Sequence, residues 1–206
     1  MPNTLLLRLT GHLQAWGGRG RFAVRDTALT PTKSGIVGLL CAALGQPDRR
    51  VALSAALRMG VRTDKPGTVI EDYHTVQGGR KANGLPRPET MITRRFYLAD
   101  AAFGVALQGD DPLIRELAAA LANPVYVTYL GRLCCIPSSP ILLGTDDYPS
   151  LIAALGKGKL EIEIDPTPGA QVRMDNVRSR TAHTFLPRFV ETFDTTEETP
   201  DDSVQN

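Results

Sequence analysis

A short apolar strand runs through a glycine- and arginine-rich loop straight into a strongly signalled helix, and this corner constrains the rest of the chain. Residues 9 to 45 read LTGHLQAWGGRGRFAVRDTALTPTKSGIVGLLCAALG. Leu5, Leu6, Leu7 and Leu9 supply the strand, and Ile36, Val37, Leu39, Leu40, Ala43 and Leu44 supply the apolar positions of the helix. Thr30 or Thr32 suits the N-cap, Pro31 a first-turn position and Gly45 the stop just past the last turn. A helix start exposes unpaired N–H groups and the positive end of its dipole, which attract phosphate or carboxylate. With Lys33 and Ser34 at that start, and Arg19, Arg21 and Arg25 just before it, the corner is expected to hold an anionic backbone. The run Gly17-Gly18-Arg19-Gly20 matches neither a P-loop nor a dinucleotide fingerprint, so nucleotide hydrolysis is not indicated.

Further along, apolar and turn patterns predict helices over 36–44, 48–57 and 113–121, a short helix over 148–155, and strands over 58–63, 68–76 and 160–165. Residues 94–107 read as strand, broken or bulged near Asp100. A sixth main element is expected within 125–136, and 189–193 as a final edge strand after a polar, basic stretch. The order strand, helix, strand, strand, helix, strand fits an α+β, ferredoxin-like (RRM-type) sheet with helices on one face. Between two strand-like runs, 77–88 (QGGRKANGLPRP) carries Arg80, Lys81 and Arg87 and no acid, with Arg94-Arg95 at its base. Glycine and proline let such a segment project, as a hairpin or mobile arm suited to clamping a nucleic-acid backbone.

The net charge of +1 conceals this basic character. Six of the 22 acidic residues fall in 191–206, which has no Lys or Arg; the 16 left face 23 basic ones, so residues 1–190 carry +7. A basic body with an acidic, solvating tail suggests a nucleic-acid partner. No apolar run reaches the roughly 18 residues of a membrane span. Three cysteines, an odd number, point to a reducing cytoplasm rather than a disulfide framework. Cys134-Cys135 lacks CxxC spacing and no two histidines are close, so neither metal nor cofactor is expected. Trp16 can stack on a base or pack against the first helix. His74, in Asp72-Tyr73-His74-Thr75, raises the alternative of a metal-independent endoribonuclease, with Tyr73 or Lys33 completing the acid–base set.

The segments LRLTGHLQAWG, TPTKSGIVGLLCAALG, DYHTV, RRFYLADAAFGVAL and YLGRLCCIPSSPILLG, in this order along nearly the whole chain, resemble the CasD family, the RAMP-superfamily subunit of the type I-E CRISPR Cascade complex. The resemblance implies an RRM-like palm over about 1–190 with a β-hairpin thumb inserted at about 77–93, followed by the acidic tail 191–206. It implies a non-catalytic subunit that grips the 5′ handle of mature crRNA and meets the backbone and large subunits, with target DNA only indirectly involved and no membrane. Carried onto this chain, the handle site comprises Gln14, Trp16, Arg19, Arg21, Arg25, Lys33, Ser34, His74, Arg80, Lys81, Arg94 and Arg132. At Arg132 the chain departs from the family's usual pattern, because Leu133-Cys134 follow where a basic or polar residue is common.

Overall fold

The computed structural model describes residues 1, 3–17, 23–80, 83–86, 88–179 and 184–196. Its centre is β1 (Thr4–Thr10), whose alternation places Leu5, Leu7 and Leu9 in the larger core and Leu6 against the smaller one. After it come four two-residue strands: β2 (Leu13–Gln14), β3 (Trp16–Gly17), β4 (Val24–Arg25) and β5 (Thr27–Ala28). Helix α1 (Lys33–Leu44) begins where Thr32 accepts from the Gly35 N–H at 3.3 Å, and ends at Gly45 in the left-handed region, φ 70°. A short 3-10 turn leads into α2 (Arg50–Ala56), then β6 (Arg58–Lys65), β7 (Thr68–Val76), β8 (Met91–Ala99) and β9 (Ala102–Gln108). The chain finishes with α3 (Asp111–Ala122), β10 (Leu142–Asp146), α4 (Leu151–Leu155), β11 (Lys159–Ile164), β12 (Gln171–Ser179) and β13 (Thr184–Asp194).

Seven strands form one antiparallel sheet in the order β10-β1-β9-β6-β11-β13-β12, and the chain is a mixed α+β fold. Ile36, Val37 and Leu40 of α1, Leu53 of α2, and Ile114 and Leu117 of α3 join Leu5, Leu7 and Leu9 in the core on one face. Leu151 and Leu155 of α4 cover the other face with Leu160, Ile162 and Ala106. Strand β9, roofed on both sides, is buried along almost its whole length, as expected of a central strand. Gly35 has a packing reason: a Cβ there would lie 2.9 Å from Cε3 of the fully buried Trp16. Among the described residues no helix is long and apolar enough to cross a membrane.

The break expected near Asp100 is present: residues 94–107 form two strands in different sheets, separated at Asp100, which takes a left-handed φ of 54° that Asp tolerates. Other expectations need correction. The sixth main element is β10, not 125–136; that segment is irregular, and the N–H groups of Val125 and Tyr126 donate to Ala43 and Ala42 at the end of α1. The stretch expected as polar loop and edge strand is the hairpin β12–β13. Strand β13 runs through position 190 to Asp194 in the main sheet, while β12 is the edge. Residues 197–206 of the acidic tail lie outside the described residues.

The C-terminal hairpin reaches over α1 and α2. Asp175 of β12 accepts the Lys33 backbone N–H at 2.8 Å, so a protein carboxylate already occupies the α1 N-terminus. The same carboxylate accepts two bonds from Arg188, Nε at 2.9 Å and Nη2 at 2.9 Å. Arg188 also reaches Glu161 at 3.2 Å, and Arg173 donates to the other oxygen of Glu161 at 2.6 Å. Nearby, the Lys33 ammonium pairs with Glu163 at 2.8 Å, and Glu163 also accepts the Met59 N–H at 3.0 Å. Burial pushes the Lys33 pKa down, opposed by Glu163; for Arg188 burial works the same way, but Asp175 and then Glu161 outweigh it and the pKa is raised. On α2, Ser54 donates to Asn176 at 2.6 Å and accepts the Val177 N–H at 3.0 Å. Removing one partner from such a cluster leaves a buried charge uncompensated. Asp175→Ala is expected to lower stability by about 3–5 kcal/mol in urea denaturation; a loss below about 1 kcal/mol would show that the network does not hold the hairpin to the helices.

Candidate nucleic-acid interface

Strands β7 and β8 leave the main sheet as one hairpin, paired without interruption from Thr68 opposite Ala99 to Val76 opposite Met91. Short β4 extends it on the far side of β8, in parallel, with Val24 beside Arg94 and Arg25 beside Arg95; β2 pairs at its root. Nearly all of β7 is exposed. Because cross-strand partners share a face, the register sorts this arm into two chemically different surfaces.

One face carries the rows His74–Thr93, Asp72–Arg95–Arg25 and Ile70–Tyr97. Asp72 is the one acid in these rows, and His74 Nε2 stands 3.2 Å from it. Thr93 is 9% exposed, and its Oγ1 and the Arg95 Nε are buried without a hydrogen-bond partner. At the arm's root Arg132 lies over the Tyr97 ring, 4.7 Å from its centroid. Its guanidinium donates to the carbonyls of Phe96 (3.0 Å), Arg25 (3.0 Å) and Asp26 (3.1 Å). Arg132 therefore rivets β4 and the residue after it to β8.

The opposite face carries Glu71–Phe96, Tyr73–Arg94–Val24 and Thr75–Ile92. Here Arg94 lies over the Tyr73 ring at 5.9 Å and is 3.4 Å from Glu71, so the charges balance locally and the surface is mainly apolar.

The structure separates the expected site residues. Arg25, His74, Arg80 and Arg94 are exposed on or beside the arm, Arg80 donating to the Gly84 carbonyl near its tip at 3.5 Å. Ser34 is half-buried, 3.4 Å from the Thr32 hydroxyl. Gln14, Trp16 and Lys33 are correctly placed in sequence but buried. Gln14 donates to the carbonyls of Leu9 and Ala101 and accepts from the Trp16 indole at 3.0 Å. Trp16 is the anchor against α1, and Lys33 is engaged by Glu163. With those atoms held, none of the three presents a free group at the surface, and the helix start meets Asp175 rather than an outside anion. Arg19, Arg21 and Lys81 lie outside the described residues. The sequence reading places Arg95 only at the base of the arm and does not single out Thr93; the two-residue alternation through Thr93, Arg95 and Tyr97 sets them on one face. Neither residue expected to complete an acid–base set with His74 is brought to it. Tyr73 faces away from His74 across the strand, and Lys33 is buried at α1. Among the described residues no group of three or more His, Cys, Asp or Glu could hold a metal ion.

Residues 4–205 match the family described as CRISPR-associated protein (Cas_Cas5). The CRISPR system Cascade subunit CasD of Escherichia coli (strain K12) is 40% identical over 161 residues, covering 70% of this chain and 72% of that one. A solved chain of a CRISPR RNA-guided surveillance complex superposes with a TM-score of 0.74 at 28% identity, covering 93% of this chain and 90% of the other. A Cas protein crystal structure gives a TM-score of 0.71 at 37% identity, covering 93% and 94%.

Arg132→Lys keeps the charge and loses the planar fork that reaches three carbonyls. It is expected to destabilise the chain by about 1–3 kcal/mol in thermal or urea unfolding; an unchanged midpoint would show that the rivet is dispensable.

Proposed function

Since this chain belongs to the CRISPR-associated Cas5 family, we propose that it serves as the subunit of a Cascade-type, crRNA-guided surveillance complex that grips the 5′ handle of the RNA without cutting it. The observation that carries this reading is the polar face of the arm. Arg25 and Arg95 lie side by side there, next to a buried Thr93 hydroxyl and an Arg95 Nε that both lack a partner. Unpartnered buried polar groups call for an acceptor, and phosphate oxygens supply one with the right charge. Arg80 extends the same positive potential toward the tip.

The elements β1, α1, β6, β9, α3 and β10, with strand order β10-β1-β9-β6, correspond in our reading to a ferredoxin-like palm. The β7–β8 hairpin then stands as the thumb, inserted between β6 and β9. Its mainly apolar, charge-balanced face suits contact with neighbouring subunits, as expected of a member of an assembly. The separation of Tyr73, His74 and Lys33 favours holding RNA over cleaving it. Three free cysteines accord with a cytoplasmic setting.

Arg25→Glu/Arg95→Glu is expected to weaken binding of repeat-derived RNA strongly and to reduce the salt slope by about 0.7 for every phosphate no longer neutralised. Affinity and slope equal to the unaltered chain would sink the reading. Incubation with repeat RNA in EDTA is expected to leave the RNA intact. A discrete cut ending in a cyclic phosphate, abolished by His74→Ala, would establish the endoribonuclease alternative instead.

A further inference from the structure

Away from the arm, a cleft of about 490 Å³ opens between the segment leading into α1 and the C-terminal strands. Lys159, Glu161, Gln171, Arg173, Arg188 and Thr192 line it, together with threonines before α1 and at the end of β6. Three cations face one carboxylate, and that carboxylate, Glu161, is already shared between Arg173 and Arg188. The remaining lining is rich in hydroxyl groups, with one amide, and its volume lies within the roughly 300–1,000 Å³ of small-molecule sites.

A second observation is independent of the cavity. Among the described residues only three buried side-chain polar atoms lack a partner: Thr93 Oγ1, Arg95 Nε and Arg188 Nη1. The first two belong to the arm. The third belongs to an arginine whose side chain is 1% exposed, whose Nε and Nη2 are held by Asp175 and Glu161, and which lines this cleft. A guanidinium held that firmly, with one amino group left open, is a fixed donor that an anionic oxygen can complete. Lys159 and Arg173 are more exposed at the rim; Arg173 is paired with Glu161, whereas Lys159 adds charge outside the Asp175–Arg188–Glu161 network.

We propose that this cleft receives a single nucleotide of the bound RNA, its phosphate taken by Lys159 and Arg173 above the Arg188 guanidinium, and its base or ribose by Gln171 and the threonine hydroxyls. This rests on the RNA-binding reading above and adds a second point of grip on the C-terminal hairpin. A carboxylate side chain from a partner protein would meet the charge but leave most of the volume empty; a nucleotide meets both.

The test uses the full chain and repeat RNA carrying 4-thiouridine at one position at a time, with the arm variant Arg25→Glu/Arg95→Glu run alongside. Lys159→Gln alters the rim and leaves Arg173 and Arg188 paired with Glu161, and its melting temperature is measured in parallel. The expected result is about tenfold weaker binding, a salt slope smaller by about 0.7 for the one phosphate left unneutralised, a melting temperature close to the unaltered chain, and a photocrosslink from one position to the peptides containing Lys159 or Gln171. Unchanged affinity and slope, or crosslinks absent from those peptides, overturns the proposal. If the arm variant loses RNA while the rim variant does not, the cleft fails and the RNA reading stands; if neither loses RNA, both fail. A rim variant that binds RNA normally but no longer retains other subunits of the complex assigns the cleft to a protein carboxylate and likewise overturns the proposal.

Discussion

The Asp175 carboxylate is the point at which the two ends of this molecule are tied. It meets the positive end of α1 through the Lys33 N–H and clasps Arg188 with both oxygens. A carboxylate in so enclosed a place needs hydrogen-bond donors on each oxygen, and here a helix start and a guanidinium supply them. Glu161, Glu163, Lys33 and Arg173 extend the arrangement, so α1, β6, β11, β12 and β13 share one electrostatic joint. Apolar packing could hold these elements together as strongly. Charge pairing adds a restriction on register, since a one-residue slip of β12 would turn Asp175 to the other side of the strand.

This joint explains what the sequence revealed and what it hid. The helix start at Thr32 is where capping rules put it, and the anion preference of that start is real. Its occupant comes from 142 residues later, a distance no local pattern spans. The same cause hid β12 and the first part of β13. Strands that turn Asp175 and Arg188 inward have little apolar alternation to display there, so 174–188 reads only as polar and basic. Conversely, 125–136 has strand-like composition but leaves Val125, Tyr126 and Val127 exposed. Strand β1, hairpin strand β7 and helix α3 were legible because their apolar spacing matches their burial or their turn signals are local. At the site, exposure separated the expectations. A basic residue in a protruding arm keeps its charge available, whereas Lys33 and Gln14, beside the apolar helix and strand, were drawn into the core.

On the proposed reading, a single hairpin serves two partners. Alternation along β8 sends Arg95 and Arg94, adjacent in sequence, to opposite surfaces, one polar with unfilled donors and one with its charges cancelled against Glu71. An RNA strand and a protein neighbour can then be met by the same length of backbone without competing. Membership of a family of CRISPR-associated proteins gives both partners a place.

Because Lys33 and Asp175 are 142 residues apart in the chain, the first helix cannot acquire its carboxylate until β12 has left the ribosome. The N-terminal half must therefore wait during synthesis with its helix start open to water, and the last strands act as the seal. A transcript truncated before β12 yields a polypeptide whose earliest-made segment is never closed.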